Sequence, residues 1–182
     1  MTAGNGVPPR IRRAVPADAP AIAAVHVASW HAAYHGLIAR EHLANLDADR
    51  LAGIWARRLG GALTLPGAGC LVAEGPDGVV AYSGFVPGTD PDDADRTVAD
   101  LETFYSLPGV WGTGVNRRLW EETLAAMTAG GTGHGVLWVL EGNARARRFY
   151  TATGWRDTGA VTPTPILGGA LTVPAVLYRR DL

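Results

Sequence analysis

Between Thr97 and Leu140 the hydrophobic period changes three times, and this constrains the fold more than any other feature of the chain. The stretch "TVADLETFYSL" (97–107) alternates with the period of two of a strand and stops at Pro108. "GVWGTGV" (109–115) interrupts it with glycines. Val115, Leu119, Trp120, Leu124 and Met127 then recur at helical spacing until Gly130 and Gly131 end the pattern. "GVLWVL" (135–140) is continuously apolar, as a strand covered on both faces must be.

The flanking sequence extends the interleaving. "RIRRAV" reads as a first strand, followed by the helix "PADAPAIAAVHVASWHAAYHG" with Asp18 as its N-cap and Gly36 as its stop. A second helix is expected over "AREHLANLDADRLAGIWARRL" before the Gly/Pro-rich break "GGALTLPGAG". "CLVAEGPDGVVAYSGFV" predicts two strands turning at Pro76-Asp77-Gly78, and "PGTDPDDAD" an acidic, solvated loop. "NARARRFYTATGW" predicts a short helix capped by Asn143 and ended by Gly154, and "WRDTGAV" and "VPAVLYRRD" predict two closing strands around "TPTPILGG". No internal repeat appears, so the 182 residues are expected to form a single mixed α/β domain, with residues 1–8 a flexible N-terminal segment.

Composition removes whole classes of chemistry. All sixteen basic residues are arginine, which excludes a P-loop lysine, a Schiff base and a kinase-type lysine. Cys70 is the single cysteine, so neither an internal disulfide nor a multi-thiolate zinc site can form. Its apolar setting, "GCLVA", reads as a buried strand. Net charge is −1 with both signs interspersed, which argues against a nucleic-acid partner. No apolar run resembles a signal peptide or a bilayer span, so no membrane association and a cytoplasmic location are expected. His31 and His35 share a helix face at metal-pair spacing, but no third ligand accompanies them, and no metal is expected.

The glycine loop is an anion site by construction. Gly112 and Gly114 allow close backbone approach, and the following helix directs unpaired N–H groups and the positive end of its dipole at a bound phosphate. Gly112-Thr113-Gly114 lacks the further glycine of a dinucleotide fingerprint, since Asn116 and Arg117 stand where it would fall.

Strand, glycine loop, helix, buried strand and "NARARRFYTATGW" together resemble the GNAT superfamily of acetyl-CoA-dependent N-acetyltransferases over nearly the whole chain. The family's Gln/Arg-x-x-Gly-x-Gly/Ala motif falls on Trp111 to Asn116, where Gly114 matches and Trp111 and Asn116 depart. The Asn-x-x-Ala-x-x-Phe-Tyr-x-x-x-Gly-aromatic pattern is met at Asn143, Ala146, Phe149, Tyr150, Gly154 and Trp155. The resemblance implies a mixed, mostly antiparallel sheet flanked by helices and splayed at the strand before the glycine loop.

It also implies acetyl-CoA as cosubstrate, its pyrophosphate in the loop of Trp111, Gly112, Thr113 and Gly114 and on the N–H groups of Val115, Asn116 and Arg117. The pantetheine arm would pair with main-chain groups of Tyr105, Ser106 and Leu107 and reach Asn143, while Arg147 would reach the ribose phosphate. Tyr150 falls at the general-acid position, and Asp100 or Glu102, on one face of their strand with Phe104 and Ser106, at the base position. Both carboxylates could equally face solvent or pair with arginine, leaving deprotonation to water. His26, Trp30 and Tyr34 fall in the region that lines the acceptor cleft. The acceptor would be an amine of a small molecule, peptide or protein, and the resemblance allows a homodimer. A non-catalytic acyl-CoA-binding domain of the same fold is the alternative.

Overall fold

The computed structural model describes residues 9–182; the segment 1–8, expected to be flexible, lies outside the described residues. Seven strands form one sheet in the order β1-β2-β3-β4-β5-β7-β6. They are β1 (Arg10–Arg13), β2 (Gly69–Gly75), β3 (Gly78–Asp90), β4 (Asp93–Ser106), β5 (His134–Leu140), β6 (Arg156–Ile166) and β7 (Leu171–Asp181). Every pairing is antiparallel except that of β4 with β5. Helices α1 (Ala19–Ala33), α2 (Arg40–Ala44) and α3 (Ala48–Leu59) precede β2, α4 (Val115–Ala129) joins β4 to β5, and α5 (Ala144–Ala152) follows β5.

Alternation along the strands assigns the helices to faces. On β2, Cys70 and Val72 pack with Ile22 and Val25 of α1 and Trp55 and Leu59 of α3. Leu71 and Ala73 point the other way, onto Val115 and Leu119 of α4. A second cluster on the α4 side joins Leu101, Trp120, Leu137, Tyr150, Trp155 and Val176. β5 is thus covered on both faces, as its unbroken apolar run requires: Leu137 and Val139 lie in this cluster and Val136 in another with Val98 and Leu177.

Local signals depart from expectation at five places. The predicted second helix is two: α2 ends at its C-cap Asn45, and Asp47 caps α3 by accepting from the N–H groups of Asp49 (2.9 Å) and Arg50 (3.0 Å). Asp18 stands before α1 but does not cap it. Its carboxylate accepts from Val15 N at 2.8 Å and is held by Arg12 at 2.6 Å, which keeps it below the usual carboxylate range. The acidic stretch 87–95 is not a loop: β3 runs to Asp90, β4 starts at Asp93, and Arg179 of β7 clamps the hairpin tip through Asp90 and Asp92, each at 2.6 Å. β6 likewise absorbs most of "TPTPILGG".

The fifth departure shapes the site. Gly84 pairs with Thr103 and Phe85 with Leu101, so Glu102 is the extra residue of a β-bulge. The alternation reverses there. Asp100 and Glu102 share the α3 face, but Phe104 crosses to Trp120 and Phe149, and Tyr105 joins Tyr82 on the α1 side. The expected common face of Asp100, Glu102, Phe104 and Ser106 therefore ends at the bulge.

Candidate active site

β4 and β5 run side by side for two residue pairs only, Ala99 with Gly135 and Asp100 with Val136, and then diverge. Parallel strands that separate leave their facing N–H and C=O groups without sheet partners, a gap open to an extended ligand. A cavity of about 390 Å³ occupies the gap. Ser29, Ala33 and Tyr34 of the α1 end, Leu101, Glu102, Phe104, Tyr105 and Ser106 of β4, Trp138 and Val139 of β5, and Asn143, Ala146, Phe149 and Tyr150 around α5 line it.

One end of the cavity is the glycine loop. Gly112 and Gly114 have φ of 78° and 90°, in the left-handed region that favours glycine, and a Cβ at either would meet nothing within 4 Å. The first helical hydrogen bond of α4 runs from Arg118 N to Gly114 O at 3.1 Å, leaving the N–H groups of Val115, Asn116 and Arg117 without helical acceptors. Asn116 lines the cavity with its Oδ1 buried and unpartnered, and half a turn of the amide presents NH₂ there instead. These donors and this open space fit a phosphate group.

Along the walls stand the groups capable of proton transfer. Tyr150 is 8% exposed, and burial pushes its phenol above the usual tyrosine range, with Tyr105 adding to the shift. Asn143 accepts from Ala146 N at 3.1 Å, the expected helix cap, and also faces the cavity. Glu102 lines the cavity and is ion-paired with Arg58 of α3. Asp100 lies just outside it on the same strand face, its carboxyl pushed up to about 6 by burial and by the charge of Glu102.

Several residues singled out from the sequence lie elsewhere. Leu107 does not line the cavity, and its main chain is committed: its N–H donates to Val80 O at 2.8 Å and its C=O accepts from Val110 N at 3.1 Å. Thr113 is turned back on Val110 O, and the Val115 side chain is buried beneath α4. Arg147 faces a separate surface, held by Asp157 at 2.8 Å, by Tyr178 Oη and by Glu141 O. Of the three expected acceptor residues only Tyr34 reaches the cavity. His26 and Trp30 stack behind it at 5.1 Å between ring centroids, and His26 shares a hydrogen bond with buried Tyr82, its imidazole pushed down to about 4 by burial and therefore neutral. His31 and His35 line a different recess at the α1–α2 connection.

Other residues of the cavity escaped the sequence reading. Ser29 donates to Ser106 O at 2.8 Å, joining α1 to the end of β4, and with Ala33 it forms a small-residue pair one turn apart where the helix crosses the cavity. Arg145 stands in the wall with its guanidinium carbon 3.5 Å from the ring centre of Trp111. Its place two residues after the capping Asn143 was the available signal.

The profile of the Acetyltransferase (GNAT) family matches residues 27–155. An uncharacterized N-acetyltransferase of Mycobacterium tuberculosis is 32% identical over 146 residues, covering 80% of this chain and 87% of the relative. A GCN5-related N-acetyltransferase from Rhodopseudomonas palustris superposes with a TM-score of 0.73 at 20% identity, covering 100% of this chain and 99% of its own. YncA from Salmonella typhimurium, solved with its cofactor acetyl-CoA, does so with a TM-score of 0.64 at 22% identity, covering 95% of this chain and 93% of its own. At these identities the solved structures speak to the fold.

Proposed function

Since the chain belongs to the GNAT family of acetyltransferases, we propose that it moves an acetyl group from acetyl-CoA to a primary amine by direct transfer in a ternary complex. One observation carries this reading. The gap between β4 and β5 is continuous from the donor-rich N-terminus of α4 to the phenol of Tyr150, and Glu102 lines the same cavity. YncA, which shares the fold, is a complex with acetyl-CoA, and the loop donors here suit the same ligand. Acetyl-CoA is a substrate in this scheme and supplies the activated acyl carbon.

The chain's own groups would do the rest. Main-chain N–H groups of the loop and of Val115, Asn116 and Arg117 bind the pyrophosphate, and the free edges of β4 and β5 orient the pantetheine arm. Asp100, more basic than an ordinary aspartate, receives the amine proton through water or by way of Glu102, which Arg58 holds in place. Tyr150 gives its proton to the departing thiolate. Cys70 takes no part, because it is buried on β2 and its thiol is pushed up to about 12, so it is not a thiolate at working pH. We place the reaction in the cytoplasm and leave the amine open among small molecules, peptides and proteins.

The test is thiol release from acetyl-CoA across a diverse amine library, with mass spectrometry of the product. Amine-dependent release and a product heavier by one acetyl group are the expected result. Tight coenzyme A binding without turnover on any amine would identify a sensing domain instead.

A further inference from the structure

Among the described residues two cations line the cavity, and only one of them is uncommitted. Arg117 is paired with Glu121 one turn along α4, at 3.0 Å. Arg145 has no carboxylate partner among the described residues, and its guanidinium carbon sits over the indole of Trp111, 3.5 Å from the ring centre. That indole is itself fixed: Nε1 donates to Ser106 Oγ at 3.0 Å and Ser106 O at 3.3 Å. The stack therefore runs from the end of β4, through Trp111, to the start of α5, and holds a planar guanidinium over the glycine loop.

An arginine ordered in this way loses little side-chain freedom when it binds an anion, and stacking by its face leaves its N–H edge free for two parallel hydrogen bonds. Gly112, Gly114 and Asn116 line the same cavity, so the fork and the loop donors share one ligand space. We propose that Arg145, held on Trp111, is a cosubstrate-binding residue that clamps the pyrophosphate of coenzyme A. The proposal rests on the acetyl-CoA reading above. It gives Trp111 a purpose that a polar residue at the head of the glycine loop could not serve, since an indole face offers a platform for the cation rather than a charge of its own.

Titration calorimetry with coenzyme A, dephospho-coenzyme A and phosphate-free pantetheine tests it on folded protein. Arg145 is exposed, so Arg145→Gln is expected to fold normally and to bind both nucleotide ligands about 10- to 100-fold more weakly, the range of a charge-assisted contact. Pantetheine affinity should not change. Arg145→Lys keeps the charge without the planar stack and should fall between parent and glutamine variant. Trp111→Leu should weaken coenzyme A less than Arg145→Gln, and the double variant should be no weaker than Arg145→Gln alone, because the indole acts through the guanidinium. Parental affinity in Arg145→Gln, or a loss seen with coenzyme A and absent with dephospho-coenzyme A, overturns the clamp. If the parent protein itself gives no binding heat with coenzyme A, the acetyl-CoA reading fails first, which separates the two outcomes.

Discussion

Tyr150→Phe removes one oxygen from a ring packed against Trp120, Trp155 and Tyr178, with centroids 6.2, 6.3 and 6.2 Å away. The apolar contacts remain, so fold and acetyl-CoA affinity should persist. Turnover should fall about a hundredfold, the low end for general acid catalysis, because a thiolate leaves tolerably without a proton. Burial raises the phenol's pKa and keeps its proton in place across the working range, and the same burial makes a departing thiolate more basic. The loss should therefore appear in kcat and leave the KM for acetyl-CoA nearly unchanged. Full turnover in a folded Tyr150→Phe protein would make this tyrosine a core residue only.

On the scale of the element, β4 concentrates the chemistry because of its bulge. Glu102 is the extra residue, and burial, with the charge of Glu102 adding to it, raises Asp100 to about 6. The linkage sign is unusual for a carboxylate. The folded state binds the Asp100 proton more tightly than the unfolded chain, so this group favours folding below about pH 4 and works against it as pH rises through 6. Asp100→Asn is thus expected to stabilise the protein at neutral pH by about 1–2 kcal/mol, a gain that denaturant titrations should see disappear at acid pH. Its activity should drop, while Glu102→Gln should shift the acidic limb of kcat/KM to lower pH by removing a like charge. Unchanged pH profiles in both variants would assign deprotonation to water. The bulge was not legible in the sequence, since it arises from the register of β4 against β3, whereas the alternation up to Glu102 was. Local signals carried further: the glycines before α4 and the Asn143 cap act within a few residues of themselves. Asp47 as a cap and the Arg145–Trp111 stack were missed for opposite reasons, one because the helical spacing continued through it, the other because its partner is 34 residues away.

For the molecule as a whole, the gap that admits a ligand is also a weakness in the sheet. Strands β1 to β4 meet β5 to β7 through two register pairs, and the apolar cluster beneath α4 and α5 supplies the rest of the junction on that face. The salt bridge of Arg179 on β7 with Asp90 and Asp92 at the β3–β4 tip is a second tie between the halves, and Asp90 is only 4% exposed. Arg179→Met keeps the apolar stem but strands a buried carboxylate, whose one remaining bond among the described residues is from Asp92 N at 2.9 Å. Unfolding by urea should show a loss of about 2–4 kcal/mol, somewhat below that of a fully buried pair because Arg179 is partly solvated. Adding Asp90→Asn should recover much of it, since no buried charge is then left unpaired. A ligand that spans the gap stabilises by mass action, about 2.7 kcal/mol at a hundred times its Kd, so saturating coenzyme A should offset most of the Arg179→Met loss. Amides of β4 between Leu101 and Ser106 that do not bond to β3 should gain hydrogen-exchange protection in the same experiment. If Arg179→Met unfolds at the parental urea midpoint, the hairpin tip is not a tie, and the two register pairs and the shared core alone hold the halves together.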